Sequence, residues 1–154
     1  ACFQVRKDAQ VNFENANDFD LPFPAETFAV EWFGALIIEQ EGDYRFTCRS
    51  DDGILVWLDG NLVVEDDNLH YQREKSGDWV HLVPGVYKFR MQFFENNVHE
   101  VCEREWEARE DSEDDQTELL DRQVIGKRHF TWDEHPALPA KTSTYKRADG
   151  SDPE

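Results

Sequence analysis

The stretch "GVYKFRMQFF", Gly85 to Phe94, places Tyr87, Phe89, Met91 and Phe93 at alternate positions, with Lys88, Arg90 and Gln92 between them. A β-strand turns successive side chains to opposite faces, whereas a helix groups residues three and four apart. This segment therefore reads as a strand with one buried face. The same period recurs upstream. Phe28, Val30 and Trp32 share a face in "TFAVEWFGAL", as do Tyr44, Phe46 and Cys48 in "DYRFTC". "GILVWL" and "NLVVE" flank Asp59-Gly60, a dipeptide that favours a two-residue hairpin turn. Turn signals at Glu41-Gly42, Asp51 to Gly53, Ser76-Gly77 and Pro84-Gly85 cut the rest into short strands. The expected fold class is all-β, an antiparallel β-sandwich or barrel.

Charge excludes several functions. The 154 residues carry 34 acids against 16 Lys and Arg, a net charge of −18. Such a surface repels phosphate and anionic lipid, which argues against nucleic acid as a partner. No run approaches the roughly 20 apolar residues of a membrane span. Aromatics at 13% supply enough bulk for a core without staples. The three cysteines cannot all pair within one chain. Cys48 alternates with Tyr44 and Phe46 and reads as a buried free thiol. Cys2 and Cys102 are left as a possible disulfide, with connectivity open.

Composition divides the chain at residue 106. Residues 1–106 read as the sandwich. Residues 107–135 form an acidic segment with one possible extra strand in "RQVIGKRHFTW". "EREWEAREDSEDDQTE" reads as a short helix or a solvated loop. Residues 136–154, "PALPAKTSTYKRADGSDPE", have the composition of an extended tail or linker. A tail of this kind that becomes ordered is expected to be held by other protein chains of an assembly.

One motif is not explained by strand patterning. "RSDDGILVW" places Asp51 and Asp52 together at the edge of a buried run. Ser-Asp-Asp-Gly is good turn chemistry, since short polar side chains bond nearby N–H groups and Gly supplies positive φ. It is also a source of oxygen ligands for a hard cation. "VEDDN", Glu65 to Asn68, offers a weaker second cluster.

The order of motifs resembles the anthrax protective-antigen fourteen-kilodalton domain, the PA-fourteen domain. "VEWFGAL", "GDYRF", "SDDGILVWLDG", "GVYKFRMQFFE" and "EREW" match the family pattern in order and spacing, most clearly over residues 28–106. The resemblance implies a jelly-roll-like sandwich and a choice of jobs, because relatives include flocculin and adhesin lectins, glycosidase accessory modules and an assembly segment. In the lectin branch the equivalent of Asp51-Asp52 is joined by a cis peptide, so both acids reach one calcium ion. Further ligands come from the loop after the G-x-Y-x-x-R strand, here "FFENNVHEV". The metal set implied is Asp51, Asp52, Glu95 and Asn97, with Glu95 where lectins tend to carry Asn. The sugar-binding set implied is Asp51, Asp52, His70, Tyr71, Trp79 and His99. Trp79, beside "REKSGD", is the candidate stacking platform, whereas Trp57, Trp32 and Trp106 read as core.

Catalysis has little support. Adjacent Asp51 and Asp52 do not face each other across a cleft of about 5–9.5 Å, as glycoside hydrolysis requires. No zinc-type His spacing, nucleophile elbow or phosphate loop is present. The expectation is a non-catalytic, extracellular or cell-surface module that binds carbohydrate through calcium. The alternative is a structural subunit of a multi-chain assembly, with the acidic segment and tail as contacts.

Overall fold

The computed structural model describes residues 4–22, 27–96, 101–110, 118–131 and 146–147. Within them the chain builds two antiparallel sheets. The larger holds β1 (Asn12–Phe13), β3 (Gly42–Asp51), β6 (Arg73–Ser76), β7 (Val80–Leu82), β9 (Val101–Arg109), β10 (Glu118–Val124) and β12 (Lys146–Arg147). Its order is β1-β9-β3-β7-β12, with β10 beside β9 and β6 beside β3. The smaller holds β2 (Thr27–Ile38), β4 (Ile54–Leu58), β5 (Asn61–Asp66), β8 (Gly85–Asn96) and β11 (Phe130–Thr131), ordered β11-β2-β8-β4-β5. No helix among the described residues is long and apolar enough to cross a membrane.

Alternation decides which side chains enter the core. Tyr87, Phe89, Met91 and Phe93 of β8 meet Tyr44, Phe46 and Cys48 of β3 and Trp106 of β9 in one buried cluster. Each such side chain contributes about 1.5–3 kcal/mol through removal from water. Phe13 stacks on Phe19 and Trp32 at ring separations of 4.5 and 5.7 Å, which fastens the N-terminal segment to this core. Asp59 and Gly60 turn β4 into β5 with φ of 49° and 81°, as the hairpin signal predicts.

Three expectations are corrected. The acidic stretch from Glu103 to Arg109 is neither helix nor loop but strand β9, paired with β3 from Val101 to Arg109. Its acids occupy alternate, outward positions, where Glu103 meets Arg49 and Glu107 meets Arg45. Trp57 points outward rather than into the core, because Ile54, Val56 and Leu58 take the inward positions of β4. Cys102 is a free, fully buried thiol, and so is Cys48. Cys2, the other half of the expected bridge, lies outside the described residues. In the tail, Lys146–Arg147 pairs antiparallel with β7.

Candidate functional site

β3 belongs to the larger sheet and β4 to the smaller, and Asp52-Gly53 is the whole connection between them. The chain therefore crosses from sheet to sheet at the acid pair, at one end of the sandwich. The peptide bond between Asp51 and Asp52 is cis. Gly53 serves close packing, not a positive φ. A Cβ there would lie 2.1 Å from the Phe94 ring, and Gly53 O accepts a hydrogen bond from Phe94 N at 3.0 Å. That contact holds the end of β8 against the acid turn.

Glu95 follows from the same alternation that built the core. It is the next inward position of β8 after Phe93, and it is 1% exposed. The core pattern thus delivers a carboxylate to the acid pair, whose members are each 7% exposed. Oxygen atoms of Asp51, Asp52 and Glu95 all lie within 4.8 Å of one another. Three like charges at that separation repel by about 3 kcal/mol per pair at an effective dielectric near 20.

Backbone donors fix the pair. Asp52 Oδ1 accepts from His70 N at 2.9 Å, and its Oδ2 from Asn96 N at 2.8 Å. Asp51 Oδ2 accepts from Gln72 N at 3.0 Å. A carboxylate has about four acceptor sites, so these bonds leave lone pairs on both residues. They also tie the connection between β5 and β6 to the acid turn. The sequence motifs had no signal for these main-chain donors.

The donor set fits a hard divalent cation. All three groups are carboxylates, the ligand type that calcium takes at about 2.3–2.6 Å. Two oxygens on one calcium are at most about 5 Å apart by that radius, and the observed spread meets this limit. Asn97 and His99 lie outside the described residues.

Two of the expected sugar contacts are brought to the site. His70 donates its backbone N–H to Asp52, and Tyr71, 91% exposed, stands between the two residues that cap the pair. Leu69, on the same connection, is also exposed. The His70 ring is buried, with Nε2 3.2 Å from Asp66 Oδ2. Trp79 is not brought there. Val80 pairs with Tyr44, and Asp51 is seven residues further along β3, about 23 Å by strand rise. The Trp79 ring instead packs against the guanidinium groups of Arg45 and Arg109, at 4.8 and 4.1 Å. The weaker cluster also resolves into structure. Asp66 is buried against Arg73, whose Nε donates to it at 2.8 Å. That hydrogen bond holds its carboxyl below the usual range.

The sequence matches the family profile described as "PA14 domain" over residues 3–115. The chain belongs to the PA14 domain family. No curated protein matches it in sequence. Among solved structures this PA14 domain is similar to an anti-sigma factor domain-containing protein, at 21% identity and a TM-score of 0.66, covering 83% of this chain and 42% of that one. It is also similar to the PA14 domain of the MpAFP antifreeze protein, at 16% identity and TM-score 0.56, covering 68% and 52%. A PA14 sugar-binding domain from an RTX adhesin aligns at 19% identity and TM-score 0.52, covering 70% and 55%. The chain thus spans 42% of the length of the first of these structures. At these identities the likeness carries the two-sheet fold.

Proposed function

We propose that this PA14 domain is a non-catalytic binding module that holds calcium at Asp51, Asp52 and Glu95 and binds carbohydrate through it. The observation that carries the reading is the buried carboxylate trio, with oxygens within 4.8 Å of one another. Calcium takes six to eight oxygens, so three carboxylates leave positions that vicinal hydroxyls of a sugar fill. Asn97, the next residue in sequence after β8, is the expected fourth protein ligand. Tyr71 and Leu69 give the rim an apolar side on which a sugar face packs. The sugar-binding title of the adhesin relative supports the same ligand class. The setting that suits such a module is extracellular or at the cell surface.

The test is a glycan array probed in calcium and again in chelator. Wild type is expected to bind in calcium only, and the Asp51→Ala, Asp52→Ala protein not at all, with its sandwich intact by circular dichroism. Undiminished binding by the double variant contradicts the reading.

A second reading has two observations in its favour. Backbone N–H groups already bond both acids, as in a structural turn, and Lys146–Arg147 extends the larger sheet at β7. On that reading the domain is a structural subunit of an assembly, and deletion of residues 136–154 blocks incorporation while glycan binding is absent from the start.

A further inference from the structure

The outer face of the smaller sheet carries one row that strand patterning leaves without a structural purpose. Phe33 of β2 pairs with Arg90 of β8, Arg90 with Trp57 of β4, and Trp57 with Leu62 of β5. The four side chains share a face and cross four strands in register. At about 4.8 Å per strand the row is roughly 14 Å long. Phe33 is 58% exposed and Leu62 is 42% exposed, among the few large apolar side chains so placed in the described residues. The Arg90 guanidinium carbon lies over the Trp57 ring at 4.8 Å and over the Phe33 ring at 5.8 Å from the ring centroids. Its charge is met by Glu31, with Nε to Oε1 at 2.6 Å. The result is a locally neutral strip.

Between this row and the acid turn runs a groove of about 410 Å³. Its lining includes Gly53 and Phe94, the chain neighbours of Asp52 and Glu95, together with Ala29, Leu55, Asp67 and Gln92. Glu31 also lines it, and Gln92 Nε2 donates to Glu31 Oε1 at 3.1 Å. Gly53 to Trp57 is four residues, about 14 Å by strand rise. The groove borders the acid turn through Gly53 and Phe94, and it meets the row through Glu31, which pairs with Arg90.

We infer that this face is an extended subsite for a neutral oligosaccharide chain that is anchored at the acid turn. The inference rests on the calcium-dependent sugar reading above and adds the length of the ligand. Three observations choose this occupant. A strip one residue wide offers on the order of 150 Å², far below the roughly 800 Å² per partner of a stable protein interface. Alternating apolar and hydrogen-bonding rows match a chain of sugar rings, which presents both kinds of surface. The net charge of −18 repels acidic glycans and leaves neutral ones favoured.

The experiment measures affinity, in calcium, for neutral ladders of one to six units from glucan, mannan, galactan and chitin. Wild type and Phe33→Ala, Arg90→Ala and Asp51→Ala, Asp52→Ala proteins are compared. Wild-type affinity is expected to rise with chain length on one ladder. The Phe33→Ala and Arg90→Ala proteins are expected to lose about tenfold for the longest members and nothing for the monosaccharide, an effect typical of one lost stacking contact. Phe33 is exposed, so its removal leaves the fold intact, which circular dichroism checks. Affinity independent of length, or length dependence unchanged in both variants, overturns the subsite while leaving calcium-bound sugar standing. Length-dependent binding that survives in the Asp51, Asp52 double variant overturns the anchor instead and leaves the strip as a glycan surface of its own.

Discussion

Arg104 is the residue whose place runs most against simple rules. It is 1% exposed, in the core, with Phe89 and Phe130 at 4.2 and 4.3 Å from its guanidinium carbon. Its Nε has no hydrogen-bond partner. Burial pulls its pKa down to about 10. A depression of that size is about 3 kcal/mol against the charged form at neutral pH, part of which the two rings return. Arg104→Met, which keeps the volume and removes the charge, is therefore expected to raise stability by about 1 kcal/mol. Urea unfolding measures it, and a clear loss of stability would show that the ring contacts outweigh desolvation. Cys48, beside it in the core, has its thiol pushed up to about 12 by burial. Cys48 and Cys102 should react with a maleimide only after denaturant is added; labelling of either in native buffer contradicts the packing.

At the scale of elements, the hairpin between β4 and β5 gives a clean test. Gly60 has φ of +81° and nothing within 4 Å of an added Cβ. Gly60→Ala should cost about 1 kcal/mol from backbone strain alone. Gly77→Ala should cost more, because its Cβ would fall 1.7 Å from Val63 O, a backbone atom that cannot step aside. A smaller loss at Gly77 than at Gly60, measured by thermal unfolding, would refute that ranking. These elements also show what was legible in the sequence. Strands β2, β3, β4 and β8 were readable because a two-residue period and local turn signals carry the information. The acid pair was readable because two adjacent carboxylates stand out against a buried run. β9 was not, since its dense acid disguised an alternation whose outward members pair with arginines of β3. Trp57 was misplaced by its hydrophobicity, although Leu55 and Trp57 oppose Ile54, Val56 and Leu58 by simple parity. The main-chain donors of residues 70, 72 and 96 were beyond reach, because they depend on loops that close only in the fold.

For the whole molecule, acid should remove stability in two windows. His129 is buried against Trp106, with ring centroids 4.6 Å apart, and burial lowers its pKa below the ordinary 6.5. The unfolded chain therefore takes up that proton first, and stability falls as pH drops below about 6.5. Asp66 is shifted down from 3.8, chiefly by the hydrogen bond from Arg73. Its contribution is present above that value and lost as pH falls below it. Urea midpoints from pH 7 to pH 3 should decline in both windows, and Asp66→Asn should flatten the lower one. A lower window that is unchanged in the Asp66→Asn protein contradicts the assignment.

The proposed role of the carboxylates at the crossing between the sheets is to hold an ion. Calcium titration by calorimetry on wild type and on the Asp51→Ala, Asp52→Ala protein tests it most directly. One site of micromolar to millimolar affinity is expected in wild type and none in the double variant, within the range that oxygen-ligand sites span. No heat of binding in wild type, or equal binding in both, would make the acid pair a turn held by backbone N–H groups and nothing more.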